Sequence, residues 1–423
     1  MAKTYDTYKD SGIAWIGEIP GEWEVCRYKV FTTNRMGETI LASETSESGI
    51  PIYSATQDNT IFGHIKSPKV LLHKGDIVIP ARGNSIGFAK LVKEDVATCS
   101  QTTICSTNIF GINNKFLYHC IYGLKDFWFR YDGSAIPQIT VDQVKNNKVP
   151  VPSAPEQEAI AFYLDQKCSE IDSLIFLQEE MISELQAYKQ SVITEAVTKG
   201  LDKKAKMKNS GVEWIGDIPE EWEVQKLRTL GWCQNGISKS GDYFGEDYEY
   251  PFVSYPDAYK NFEVPYPKGR ANSTLEDRQR YSLVKGDVLF TRTSETIEEI
   301  GFASTCTETI PNAVFSGFLI RFRPTSHKIY YGYSKYFFRS VIHRAFFVKE
   351  MNLVTRASLS QDLLKNLPVV LPKIEEQQAI ATYLDEKTSQ IDSLIALKQS
   401  KIESLKEYKK SIIYEYVTGK KRV

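Results

Sequence analysis

A fifteen-residue stretch, SGIAWIGEIPGEWEV at 11–25, returns as SGVEWIGDIPEEWEV at 210–224 with eleven identities. A longer one, EQEAIAFYLDQKCSEIDSLIFLQEEMISELQAYKQSVITEAVT at 156–198, returns as EQQAIATYLDEKTSQIDSLIALKQSKIESLKEYKKSIIYEYVT at 376–418, identical at 25 of 43 positions without a gap. Repetition on this scale restricts the fold more than composition does, because each copy must form the same supersecondary unit and bury the same face. The chain therefore reads as two tandem halves. Between the repeated blocks, 26–155 and 225–375 differ in length and match only in fragments such as KGDIV (74–78) against KGDVL (285–289) and SIGFA (85–89) against EIGFA (299–303). Even drift after a duplication would not leave long blocks nearly intact beside blocks that scarcely align, so the frame repeats and the inserts diverge.

With 423 residues, 42% of them hydrophobic and 12% aromatic, the chain can build two or three folded domains. No apolar run approaches the roughly 18 residues that span a bilayer. The start, MAKTYDTYKDSG, lacks a signal-peptide core. A soluble, cytoplasmic protein is expected. Seven cysteines without a CxxC pair fit reduced thiols. Cys99 and Cys105, the closest pair, are expected in core strands, and no metal centre is expected from the scattered histidines.

The formal charge of -1 argues at first against a nucleic-acid partner, but its distribution carries more information. The 156–198 block holds nine acids against Lys167 and Lys189. Residues 321–349 hold seven Lys or Arg and no acid, and 268–292 adds Lys268, Arg270, Arg278, Arg280, Lys285 and Arg292. Such local excesses suit a phosphate backbone, or simply a solvated face.

Within the first long block, Ile171, Leu174, Gln178, Met181, Leu185, Tyr188 and Val192 fall at alternating spacings of three and four, a heptad seam. Ile391, Leu394, Lys398, Lys401, Leu405, Tyr408 and Ile412 repeat it, and Ile175, Ile182, Ile395 and Ile402 widen the apolar face. Each helix follows a proline-bearing extended segment, VPVPSAP (149–155) or LPVVLPKIEE (367–376). A helix of 43 residues is about 65 Å long and needs a partner for its seam. The first is acidic, whereas 376–423 carries nine bases against seven acids, so an antiparallel pair is predicted. The sequence also closes cyclically: AVTKG (196–200) runs on into the tryptophan motif, and the continuation missing after YVTGK (416–420) stands at the N-terminus. Trp15, Trp23, Trp214 and Trp222 are accordingly expected to anchor the junction between a helix end and the next insert.

Each insert reads as an α/β (α+β) domain. DIVIPA (76–81) and DVLFTR (287–292) are predicted strands after a Lys-Gly-Asp turn; 114–131 and 330–347 are predicted aromatic helices. The expected boundaries are 1–155, first insert; 156–200, first spacer helix; 201–375, second insert; and 376–423, second spacer helix. The loops ARGNS (81–85) and TRTSE (291–295) carry residue types suited to base edges and phosphates, because a guanidinium fits guanine O6 and N7 and short hydroxyls donate or accept. IYSATQD (52–58) and FVSYPDAY (252–259) hold comparable places. The candidate DNA-binding residues are Tyr53, Ser54, Gln57, Arg82, Asn84 and Ser85 in the first insert, and Tyr255, Arg270, Arg292, Thr293 and Ser294 in the second.

The WIG-x-IP-x-x-W junctions, the KGD-strand-GFA pattern and the proline segment leading into EQxAIAxYLDxK with IDSLI downstream together resemble the specificity subunit of type I restriction-modification enzymes, over nearly the whole chain. The resemblance implies two target recognition domains on two long antiparallel helices, each reading one half of a bipartite double-stranded DNA target. It implies that the helices dock two modification subunits, which bring S-adenosylmethionine, and that two restriction subunits bring ATP- and Mg2+-dependent translocation and cleavage. This chain itself would hold no cofactor and no catalytic residue. The helices would act as a ruler, placing half-site centres less than about 65 Å, or roughly 19 base pairs, apart. Two other readings are a protein-binding coiled-coil adaptor and a stand-alone nuclease or methyltransferase. The second lacks a Walker motif, an NPPY-like tetrapeptide and a nuclease triad: Pro256-Asp257 is followed by Glu263-Val264-Pro265 instead of Glu-x-Lys.

Overall fold

The computed structural model describes residues 4–109, 111–129, 137–239, 241–294, 300–350 and 357–423. Two compact units form, one from the residues up to Glu179 together with Gln399–Val423, the other from Glu180–Lys398. No helix among the described residues is long and apolar enough to cross a membrane.

In the first unit, an antiparallel sheet orders Thr32–Met36, Thr103–Asn108, Ile77–Pro80 and Lys90–Leu91 side by side. A second sheet orders Ile61–Ile65, Ile50–Tyr53, Val96–Cys99 and Leu72–His73, with a parallel pairing of Cys99 to Tyr53. The KGD turn works as expected: Gly75 takes φ +94°, and buried Asp76 accepts the His73 amide at 2.9 Å. Asn113 caps the helix Asn114–Trp128 by accepting from the amides of Lys115 and Phe116. That helix buries Phe116, Leu117, Cys120, Ile121, Leu124 and Trp128 against Ile77, Ile79 and Ile104, and against Ile160, Leu164, Ile412 and Ile413 of the long helices. A side chain at Gly123 would lie 2.6 Å from Ile413, so only glycine admits this approach.

The second unit repeats the plan. Gly231–Asn235, Leu319–Pro324, Val288–Thr291 and Ala303–Thr305 form an antiparallel sheet, and Tyr250–Val253 pairs parallel with Val314–Phe315. Gly286 takes φ +94°, and buried Asp287 accepts the Val284 amide at 2.9 Å. The aromatic helix differs from expectation. It breaks into Tyr331–Phe337 and His343–Glu350. Buried Ser340 sits in the break, with its amide on Phe337 O at 3.2 Å and its hydroxyl 3.2 Å from that of Thr194, which stops the helix ladder. Both aromatic helices are clamped to the long helix by equivalent aspartates. Asp165 accepts from His119 (2.8 Å) and Lys115 (2.6 Å), which hold its carboxyl below the usual range; Asp385 accepts from Lys335 (2.5 Å) and Tyr336 (2.7 Å).

The long helices are Ala154–Lys199 and Ile374–Val417. In the first unit Tyr163 meets Tyr416, with ring centroids 4.6 Å apart, and Lys409 pairs with Asp172 at 2.8 Å. In the second, Lys189 pairs with Asp392 at 2.6 Å and Lys398 lies 3.1 Å from Sδ of Met181. One number rises as the other falls, so the segments run antiparallel within each unit. The seam itself is shifted from the predicted one. Ile171, Ile175, Gln178, Ile182, Leu185, Lys189 and Val192 form a buried or half-buried stripe, as do Ile391, Ile395, Lys398, Ile402, Leu405, Lys409 and Ile412. Leu174, Met181, Tyr188, Leu394 and Tyr408 are exposed, as is Lys401. Both stripes have the same three-four spacing; the observed one places the stems of Lys189 and Lys409 at the seam's edge, where their ammonium groups reach Asp392 and Asp172.

The tryptophans sit as junction anchors. Trp23 and Trp222 are buried, donating to Glu156 at 3.0 Å and to Glu376 at 2.8 Å. Trp15 stacks on Phe127 at 4.9 Å and Trp214 packs on Phe346 at 5.8 Å. Near the C-terminus Tyr414 donates to Trp15 O at 2.8 Å and Lys420 to Glu18 O at 2.6 Å, closing within the first unit a junction that the second unit makes with continuous chain.

Candidate nucleic-acid interface

In the first unit the two candidate stretches come together. The strand Ile77–Pro80 ends at buried Ala81, and the chain continues through extended Arg82 into a tight turn at Gly83–Ser85, with Gly83 at φ +71°. Ser85 Oγ donates to Ala55 O at 2.8 Å, and Gln57 Nε2 donates to Asn84 O at 3.0 Å. Beneath them the side chain of Lys90, 1% exposed, donates to Ser54 O at 2.8 Å and to Thr56 Oγ1. Burial pulls its ammonium below the ordinary lysine value. A buried cation is retained only with acceptors around it, so Lys90 ties the 54–58 loop down to the sheet. The resulting platform presents Arg82, Asn84 and Gln57 outward. Arg82 makes no side-chain hydrogen bond or ion pair among the described residues. Tyr53 and Ser85 lie beneath the platform. Burial, and then the hydrogen bond to Glu94 at 2.7 Å, push the Tyr53 phenol up to about 12, so its hydroxyl is committed internally.

The second unit builds its counterpart around the turn Ser316–Phe318. Ser316 donates its amide to Val253 O at 3.0 Å, and the Arg292 amide donates to Phe318 O at 2.9 Å. The Arg292 guanidinium donates to Gly317 O at 3.3 Å. Tyr255, just beyond Val253, opens the short helix Tyr255–Lys260 and stacks on Tyr259 at 5.8 Å. Thr293 pairs with Ser358, and Ser294 with Ala357, in a two-stranded ladder; the side chain of Ser294 lies outside the described residues. Arg270 is turned onto its own loop, donating to Pro267 O at 2.6 Å and Gly269 O at 3.0 Å.

The ladders also correct the equivalence of ARGNS with TRTSE. Pro80 pairs with Thr103 and Thr291 with Leu319, while Ala81 donates to Thr102 O as Arg292 does to Phe318 O. Arg292 therefore occupies the place of Ala81, and Thr293 that of Arg82. A one-residue slip in extended chain turns a side chain to the opposite face, so the two arginines are not counterparts.

Charge counting along the chain misses where the cations go. Arg321 is buried and bonded to Ser282 O and Gln234; Arg323 pairs with buried Asp287 at 2.6 Å. Arg339 donates to Tyr259 O at 2.6 Å and Ala303 O at 3.2 Å. Burial lowers both Arg321 and Arg339 to about 10. Burial also pulls on Lys335, but Asp385 and Glu263 outweigh it and raise the ammonium. Much of the 321–349 excess thus knits the second unit together. All seven cysteines are free, Cys99 and Cys105 being buried in neighbouring core strands. Among the described residues no cluster of His, Cys, Asp and Glu could hold a metal.

Against known proteins, the model of the type I restriction modification DNA specificity domain matches twice, at residues 20–186 and 219–407. The MjaVIII type I restriction enzyme specificity subunit of Methanocaldococcus jannaschii is 26% identical over 437 residues, covering 96% of this chain and 94% of that protein. A putative MjaX specificity subunit of the same organism is 25% identical over 440 residues, covering 96% of each. A solved structure titled for complex assembly and conformational transition of the type I R-M system has the same fold, with TM-score 0.70 at 16% identity, over 95% of this chain and 99% of that one. With one specificity domain falling in each tandem half, the chain belongs to the family of type I restriction-modification specificity subunits.

Proposed function

We propose that this chain selects the DNA sequence for a type I restriction-modification complex, each unit reading one half of a bipartite double-stranded target. The observation that carries the reading is that matched strand ends, built on one plan, bear different side chains: Ala81, Arg82 and Thr102 in one unit, with Gln57 and Asn84 exposed beside Arg82, against Arg292, Thr293 and Phe318 in the other. Equal scaffolds with unequal surfaces suit two different half-sites. Tyr53, Ser54, Ser85, Tyr255 and Arg270 would act by holding these surfaces in place.

The chain supplies no catalytic group in this reading. Modification subunits bring S-adenosylmethionine, and restriction subunits bring ATP-dependent, Mg2+-dependent translocation and cleavage, two of each per complex. Each unit offers an apolar docking patch on its helix pair, Leu174, Leu177 and Tyr408 in the first and Leu394, Leu397 and Tyr188 in the second, all exposed. The test is binding of the chain with its modification partner to selected and random duplexes at several salt concentrations. Selective retention that persists at high salt supports the reading; equal retention favours a protein-binding adaptor. Methyl transfer or cleavage by the purified chain alone would overturn it.

A further inference from the structure

We infer that Phe318 is a specificity-determining residue of the second unit, contacting the 5-methyl group of a thymine in the half-site that unit reads. The inference rests on the DNA-reading function above and names the chemistry by which one unit performs it.

The phenyl ring is 62% exposed. Single exposed apolar side chains are common on protein surfaces, so exposure alone says little. The backbone beneath this one is fixed. The Phe318 amide donates to Ser316 Oγ at 3.2 Å and its carbonyl accepts the Arg292 amide at 2.9 Å. Gly317 donates to Ile237 O at 2.8 Å, and a Cβ there would lie 2.2 Å from Ser238 Oγ, so the turn is pressed against the neighbouring strand end. A rigid turn thus holds the ring in water.

Its neighbour is Arg292. The register that pairs Thr291 with Leu319 sets Arg292 directly opposite Phe318, and opposite residues of an antiparallel pair share a face. The same two places in the first unit hold Ala81 and Thr102, one buried and small, the other polar. A cation and an aromatic ring therefore stand in the second unit where the first has neither. Phosphate contacts have no use for a phenyl ring. In the major groove the one apolar feature that distinguishes a base is the thymine methyl group, which a phenylalanine can cover.

The test uses the full chain with its modification partner and the target defined by the bases it methylates. Each thymine of both half-sites is replaced in turn by deoxyuridine, which lacks only the methyl. One such replacement is expected to weaken binding about fourfold, the equivalent of one buried methyl. Phe318→Ala should cause a similar loss and make thymine and uracil equal at that position, with the thermal transition unchanged. The inference is overturned if no deoxyuridine replacement matters, or if Phe318→Ala weakens all sequences alike, as a wedge or a folding defect would. If the wild-type complex does not separate target from random DNA at all, the DNA-reading function fails with it; if it does, only the methyl contact fails.

Discussion

Trp222 donates its indole N–H to Oε2 of Glu376 at 2.8 Å, across 154 residues of sequence. The bond joins the tryptophan motif to the first turn of the second long helix. Trp23 and Glu156 make the same bond at 3.0 Å in the first unit. The repetition of the motif is thus the repetition of one joint, in which a buried ring supplies area and a helix-terminal carboxylate supplies direction. Trp222→Phe, which keeps most of the aromatic area and leaves the acceptor unpaired, should lower unfolding free energy by about 1.5–3 kcal/mol, and Trp222→Ala by about 3–5 kcal/mol. Denaturant titration checks both. No loss in Trp222→Phe would show that the hydrogen bond contributes nothing, and equal losses for the two variants that the buried ring adds nothing beyond it.

The shifted seam separates stability from docking. Ile175 packs against the first unit's core beside Leu405, while Leu174 is 47% exposed. Ile175→Asp should cost more than about 2 kcal/mol, because a carboxylate would replace a packed methyl group without a partner. Leu174→Asp should change stability by no more than about 0.5 kcal/mol yet weaken capture of the modification subunit. Urea midpoints and co-purification measure the two effects. If Leu174→Asp is the more destabilising, the exposed stripe is the true seam.

The tandem plan, the KGD turns, the paired helices and the tryptophan anchors were all readable from residues, because each repeats and a repeated local pattern implies a repeated local structure. Where two solutions shared one pattern, the sequence left the choice open. Leu174 and Ile175 both satisfy a three-four stripe, and only the reach of Lys189 and Lys409 to Asp392 and Asp172 selects between them. Arg321 and Arg339 looked like surface charge because their acceptors, Ser282, Gln234, Ala303 and Tyr259, are distant in sequence. The pairing of Arg82 with Arg292 followed the look of two loops. A gapless extension from KGD at 74 and 285 already sets Arg292 against Ala81. Nothing in the sequence marks Phe318, since an aromatic residue before a strand is more often core. The union of the 54–58 and 82–85 loops through Gln57, Ser85 and Lys90 is likewise a tertiary fact.

His343 makes the second unit acid-sensitive. Its Nε2 lies 2.9 Å from Phe337 O, which fixes Nε2 as the protonated nitrogen, and Nδ1 is buried beside Phe337 and Phe338 with no hydrogen-bond partner among the described residues. Burial lowers the imidazole to about 3. The unfolded chain then binds a proton near pH 6.5 that the folded chain refuses until about pH 3. Stability therefore falls as pH drops through that window, by up to about 1.4 kcal/mol per pH unit from this group. His343→Leu should remove that slope between pH 6 and 4 while leaving the carboxylate contribution at lower pH. Urea denaturation of both proteins across this range checks it, and parallel curves would show that His343 is protonated in the folded state.

Arg82 is the sharpest probe of base reading in the first unit, because it stands exposed on a platform whose other bonds do not involve its side chain. Ser85, Gln57 and Lys90 hold the loops together without the guanidinium. Arg82→Ala should therefore leave the thermal transition in place. If the guanidinium reads a base, the loss is about 1–3 kcal/mol at one position of one half-site, with relaxed preference there and an intact second half-site. If it meets only phosphate, binding weakens evenly across sequences and the salt dependence becomes shallower by about one unit. Selection of bound duplexes by the wild-type and variant complexes, repeated at two salt concentrations, separates these outcomes. Loss of preference at both half-sites would assign Arg82 to the fold and remove it from the reading surface.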